Sequence, residues 1–283
     1  MAQQEDPDLA GSESKEQDAE SLDDVALRPG PNADAAADVE RYISAEVRAL
    51  YDVYSYRHAA AILANSFPEE LQQIERALLD FRITVKDIGT PGGNESDMPK
   101  KFSRTLRPAG WVETRIQGDL LVRMQEYDEL FAADGKARKV KRSESTPRMI
   151  ENFIDGHKID YVKGRVAFDL EWNSKDQTFD RDLYALRAFH ECGLISAGVM
   201  VTRSASLNPV FEVVPQLTKS GEPELHKTGS RAGQPKNVRQ KYGASTTWMG
   251  KLLYRLNAGR HGGCPVLVFG ITPKLISDWN PQP

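Results

Sequence analysis

Apolar residues recur at helical spacing from Val39 to about Leu63, with Ser55, Tyr56 and His58 marking a break and Phe67-Pro68 closing the segment. Pro68 suits a first helical turn and opens a second helix, whose Leu71, Ile74, Leu78 and Leu79 form one apolar stripe. Phe81 to Val85 alternates as a strand. Gly89 to Ser96 reads as a loop, and no Gly-Lys-Ser/Thr follows to make it a phosphate-binding P-loop. Trp111 to Phe131 shows no single period. Two short strands follow around a turn between Asp160 and Asn173, then Arg181 to Cys192 predicts a helix closed by Gly193. Leu194 to Thr202 is a near-continuous apolar run of the kind buried on both faces of a sheet. Residues 203 to 243 are polar and rich in Gly and Pro, which predicts a long loop. Ser245 is a candidate cap for a helix carrying Trp248, Leu252, Leu253 and Leu256, with Gly259 past its end, and Pro265 to Ile271 is one more buried strand. The order strand, strand, helix, strand predicts an α/β fold with a mixed central sheet flanked by helices.

The segment from Asp160 to Asn173 carries chemistry as well as structure. Val166, Phe168, Leu170 and Trp172 alternate with Ala167, Asp169, Glu171 and Asn173, so Asp169 and Glu171 project from one face of a strand. With Lys163-Gly164 as the two-residue turn, Val162 pairs with Arg165 and Asp160 pairs with Ala167, which puts Asp160 on that face one diagonal step from Asp169. Like charges so close raise one another's pKa, and a divalent cation relieves them; an oxygen-only ligand set favours Mg²⁺, with Mn²⁺ as a substitute. The same pattern also suits an ordinary amphipathic hairpin whose acids face water and pair with Lys158, Lys163 and Arg165.

Charge changes the picture at the N-terminus. The net charge of -4 hides twelve Asp or Glu against Lys15 and Arg28 in the first 40 residues, so the remainder of the chain is basic. Residues 1–38 hold too few large apolar groups to offset their ordering entropy and are expected to form a disordered acidic tail, leaving 39–283 as one folded domain. No apolar run approaches the roughly 20 residues that span a bilayer, and no signal peptide is evident, so a cytoplasmic location is expected. Cys192 and Cys264 lack metal-ligand spacing and read as reduced core residues, and His58, His157 and His190 read as structural. Asp169 and Glu171 sit side by side rather than across a substrate bond, which argues against a glycosidase.

The Asp-x8-Asp-x-Glu spacing resembles the PD-(D/E)xK nuclease motif, and the residues around it are similar to the BglII/BstYI-type branch of type II restriction endonucleases. Ile159-Asp160-Tyr161 matches that branch's first acidic strand, and Asp169-Leu170-Glu171-Trp172-Asn173 matches its second. Tyr56-Arg57-His58-Ala59, the Leu71 to Leu79 segment, Trp111, Ser245-Thr246-Thr247 and Pro265 to Gly270 extend the likeness over most of residues 50–273. It implies a restriction-endonuclease-like fold and a homodimer that grips double-stranded DNA and cuts both strands at a short palindrome, with a GATC core expected, leaving 5′-phosphates. Asp160, Asp169 and the main-chain carbonyl of Leu170 would hold Mg²⁺, Glu171 would serve the attacking water, and Glu113 is a candidate accessory acid. Asp169 departs from the Glu that many relatives carry, which shortens one arm of the site.

The resemblance also suggests where bases are read. Ser245 and Thr246 fall at the major-groove position, Asn173, Ser174 and Lys175 follow the catalytic strand, and Lys236, Arg239 and Lys241 belong to a basic loop suited to phosphates. An ordinary helix cap is an equally good reading of Ser245. Lys175 shares the parity of the acids and could replace the lysine usual in such motifs. Two other functions compete with the restriction endonuclease: a structure-selective or repair nuclease of the same fold, and a DNA-binding protein whose catalytic site is inactive.

Overall fold

The computed structural model of the chain describes residues 24–90, 97–142, 147–243 and 245–280. The expected disorder of the acidic tail lies mostly outside them, in residues 1–23. Its described remainder is tied to the body: the Ala26 N–H donates to the Gly250 carbonyl at 3.0 Å, and Ala33 bridges Tyr56. The first helix, α1 (Ala36–Tyr42), already begins within it.

Helices α2 (Ala45–Leu50), α3 (Ala59–Ser66), α4 (Pro68–Asp80) and α5 (Val85–Gly89) precede α6 (Asp97–Leu106). Strands β1 (Tyr51–Tyr56), β2 (Val112–Val122), β5 (Arg148–Lys163), β6 (Val166–Glu171), β7 (Ala197–Arg203) and β8 (Val266–Ile271) form one sheet in the order β1-β8-β7-β6-β5-β2, while β3 (Tyr127–Phe131) and β4 (Ala137–Lys141) pair separately. Helix α7 (Thr178–Glu191) links β6 to the parallel β7. Helices α8 (Asn208–Val213) and α9 (Met249–Asn257) lie in the connection to the parallel β8. The fold is therefore α/β with a mixed sheet, as the pattern predicts. The chain divides into two compact units, 1–113 with 159–283, and 114–158.

In the larger unit both faces of the sheet are covered. Val166, Phe168, Leu170 and Trp172 of the β6 segment join Val199, Val201, Leu267 and Phe269 in one core with Leu63, Ile74, Leu78 and Phe102 from the N-terminal helices. The alternate positions Ala167, Met200 and Val268 are equally buried, as are Leu183, Leu186 and Phe189 of α7. Gly198 shows how close that helix comes, since a Cβ there would lie 2.8 Å from Leu186 Cδ1. The smaller unit differs in character: Met124, Tyr127, Leu130, Phe131 and Phe153 are all more than half exposed.

Several local expectations change. Tyr51 to Tyr56 is a strand rather than helix, because its aromatic and β-branched residues find a full antiparallel ladder on β8, from Tyr51↔Ile271 to Tyr56↔Val266. Phe81 to Val85 contributes a single bridge, Ile83↔Ile276, and Val85 instead starts α5, where Thr84 and Asp87 form a reciprocal capping box. The polar stretch 203–243 contains α8, with Pro209 in its first turn, and isolated bridges such as Pro215↔Asn237 and Leu225↔Pro235. Cys264 is buried as expected, but Cys192, at the end of α7, is exposed.

Phe102 stacks on Phe81 at 4.6 Å between ring centroids and touches Phe168 beneath the catalytic strand. Phe102→Ala is expected to lower unfolding free energy by about 3–5 kcal/mol in denaturant titrations. Leu130→Ala, at an exposed site, should change it by less than about 0.5 kcal/mol.

Candidate active site

The acidic residues are placed by the β5-β6 hairpin. Lys163 pairs with Val166, Val162 with Ala167 and Tyr161 with Phe168, so the turn is Gly164-Arg165 rather than Lys163-Gly164. Glycine is needed at the first turn position, where φ is 54°. Moving the turn by one residue on each strand preserves side-chain parity, and Asp160 now sits directly across from Asp169. The Asp160 N–H donates to Asp169 Oδ1 at 3.1 Å, which anchors the shorter aspartate arm to the opposite strand.

The central carboxylate does not face water, and Asp160 and Glu171 are only partly exposed. Asp169 is 7% exposed, because the face it projects from lies under α7. Two of the cations offered as surface partners are engaged elsewhere: Lys163 donates to Glu69 and Gln73 at 2.8 and 3.1 Å, and Arg165 to Ser196 at 2.9 Å. A plain solvated hairpin is thereby excluded. Glu171 Oε2 is buried and has no hydrogen-bond partner among the described residues.

A fourth carboxylate, which the strand pattern alone did not flag, comes from α7. Asp182 is 1% exposed, and one of its oxygens lies within 4.8 Å of one from Asp169. Its signal was present in the helix: Phe179, Asp182, Leu183, Leu186 and Phe189 form the buried stripe, so an acid occupies a core position. Glu113, at the start of β2, is exposed, yet its charge is felt at Asp160.

The electrostatics follow from this packing. Burial pushes Asp169 well above the usual carboxylate range, with Asp160 and Asp182 adding to the effect. Burial likewise raises Asp160, and Asp182 and Glu113 push the same way. Glu171 is pushed up to about 8 by burial first, then by Asp182, while a hydrogen bond with Ser174 opposes the shift. Burial and mutual repulsion make Asp160, Asp169 and Glu171 unfavourable as anions, and a cation beside the group, Arg181, meets Asp182 at 3.4 Å. Asp160, Asp169, Glu171 and Asp182 offer carboxylate oxygens, donors that suit a hard divalent ion.

The segments expected to read bases come together beside these acids. Thr246 bridges Lys175, the Ser174 N–H donates to Thr247 Oγ1 at 3.1 Å, and the Thr247 N–H returns to the Ser174 carbonyl at 2.8 Å. The Asp176 N–H donates to the Ser245 carbonyl at 3.0 Å. This pairing holds Ser245 to Thr247 in extended form, so α9 starts only at Met249 and Ser245 is not its cap. Ser245 and Lys175 are exposed, while Asn173, Ser174 and Thr246 are partly buried. The basic-loop cations have other partners: Lys236 pairs with Glu224 at 2.7 Å, Arg239 with Glu212 at 3.4 Å, and Lys241 donates to the carbonyls of Ile88 and Thr90.

A family model described as restriction endonuclease BglII/BglIII matches residues 51–271. No curated protein matches the chain.

The raised Glu171 makes stability depend on pH with a definite sign. Between the ordinary value of 4.5 and about 8, the folded state keeps a proton that the unfolded chain has released, so stability falls as pH rises through that window. The metal-free protein is expected to lose melting temperature from about pH 5 to about pH 8, with a shallower slope in Glu171→Gln. Equal slopes in thermal scans of the two proteins would show that Glu171 is ionised when folded.

Proposed function

The chain belongs to the BglII/BglIII restriction endonuclease family and is a type II site-specific deoxyribonuclease, and from that premise we propose how its site works and on what. It hydrolyses both strands of duplex DNA at a short palindrome with a GATC core, leaves 5′-phosphates, and acts as a cytoplasmic homodimer. The observation that carries this reading is the direct opposition of Asp160 and Asp169 on one covered face that also gathers Glu171 and Asp182.

Asp160, Asp169 and the Leu170 carbonyl would hold Mg²⁺, or Mn²⁺ in its place, with Asp182 completing the anionic wall. When bound, such an ion neutralises charge at the reacting phosphorus, acidifies a water and assists the leaving 3′-oxygen. Glu171 supplies the remaining function. Its buried, unpartnered Oε2 is suited to take the proton of the attacking water once the carboxyl is ionised, and Ser174 hydrogen-bonds the group. Glu113 adds negative charge on the Asp160 side.

Base edges are read by Ser245, Thr246, Asn173, Ser174 and Lys175, whose hydroxyls, amide and amine suit groove contacts. Lys236, Arg239 and Lys241 reach phosphates only by leaving their present partners, so their contribution to DNA affinity is smaller than three free cations would make.

Incubation with phage DNA and Mg²⁺ is expected to give discrete fragments, which disappear on chelation and in Asp160→Ala and Glu171→Ala. Asp182→Asn is expected to cut at least about tenfold more slowly, with recovery as Mg²⁺ is raised. A uniform smear, or fragments that survive Asp160→Ala and Glu171→Ala, would sink the proposal, and fragment ends identify the site.

A further inference from the structure

Arg203, the last residue of β7, is 1% exposed, and among the described residues no carboxylate pairs with it. Its Nε donates to the Trp172 carbonyl at 2.7 Å and the Thr247 carbonyl at 3.1 Å. Its Nη2 donates to Thr246 Oγ1 at 2.6 Å and again to the Thr247 carbonyl at 2.7 Å. The guanidinium packs beside Tyr242 and Phe211, 4.9 and 5.3 Å from their ring centroids, and those two rings stack on each other. Burying a full positive charge among neutral acceptors is expensive. A fork of fixed donors is the one side chain able to bridge both segments at once.

The two segments have different jobs in the function proposed above. Trp172 immediately follows Glu171, whose own carbonyl accepts from Thr202 Oγ1 at 2.7 Å, so the end of the catalytic strand is clamped by consecutive residues of β7. Thr246 and Thr247 belong to the stretch assigned to base reading. We propose that Arg203 is a positioning residue that makes DNA cleavage conditional on correct base reading, by holding the Thr246-Thr247 segment and the end of the Glu171 strand in one fixed register. A wrong base that displaces Thr246 pulls on the same guanidinium that sets the Trp172 peptide. Base fit therefore reaches Glu171 through one side chain. The inference rests on the assignment of Thr246 to base reading.

The test uses the full-length enzyme and the site defined by wild-type fragment ends, alongside duplexes with one base pair changed. Arg203→Lys keeps the charge and loses the fork, while Thr246→Val removes the hydroxyl that Nη2 reaches together with its donation to the Gly243 carbonyl at 2.7 Å. Arg203→Lys is expected to bind the cognate duplex within about threefold of wild type, to lower kcat at least about tenfold, and to lower the cognate to near-cognate cleavage ratio by a similar factor. Thr246→Val is expected to move kcat and the ratio in the same direction by a smaller factor. A purely structural arginine would reduce the folded fraction and scale both substrates equally, so an unchanged ratio overturns the inference. Should Arg203→Lys fail to fold, Thr246→Val decides: a loss confined to KM, with kcat intact, overturns it. Wild-type enzyme that yields no discrete fragments would overturn the functional reading and this inference with it, whereas wild-type fragments with unaltered variant ratios overturn this inference alone.

Discussion

Everything at the active site depends on the burial of like charges. Asp160, Asp169 and Glu171 project from one covered face of the sheet toward Asp182 of α7, and burial raises all three, with Asp182 pushing the same way. A fold stabilised only by packing would replace such a cluster with apolar residues at no loss, as buried ionic groups generally allow. The destabilised carboxylates are thus a cost carried by the surrounding core, and the family to which the chain belongs gives that cost a use.

The core can carry it because the catalytic strand is locked on three sides. The hairpin ladder fixes Asp160 against Asp169, the parallel ladder fixes Glu171 beside Thr202, and the apolar residues of the same strand key into the aromatic cluster of Phe81, Phe102 and Phe168. The only helix connecting β6 to β7 then closes over the acids and delivers Asp182. Carboxylates on adjacent strands and on the crossover between them have little freedom to drift, the preorganisation that the proposed hydrolysis requires.

A second layer joins the site to the segments proposed to read bases. Residues 173–176 and 245–247 zip together by main-chain and hydroxyl hydrogen bonds, with Arg203 beneath both. Further along α9, Lys251 and Arg255 approach Asp176 at 3.6 and 3.8 Å, and Arg255 pairs with Asp180 at 3.0 Å, so the loop after the catalytic strand is held from the helix side as well. Arginine and lysine act here as internal struts, although a sequence rich in such residues suggests contacts with phosphate.

The alternation of residues 165–173 determined by itself that Asp169 and Glu171 share a face, and period-2 geometry kept Asp160 on that face even though the turn lies one residue further along. The apolar runs of β7 and β8 and the stripe of α7 were equally legible, because a residue buried on one face repeats with the period of its own element. What the sequence could not decide by itself depended on partners distant in the chain. Tyr51 to Tyr56 became a strand because β8 offered a ladder, Ser245 lost its role as a cap to a pairing with residues 174–176, and the cations of the basic loop turned inward to carboxylates and carbonyls. Only the tertiary structure could show that the acidic face is covered rather than wet, since nothing in the local pattern of β6 records a helix that packs across it. That helix adds a fourth carboxylate, Asp182, to the three acids of the hairpin.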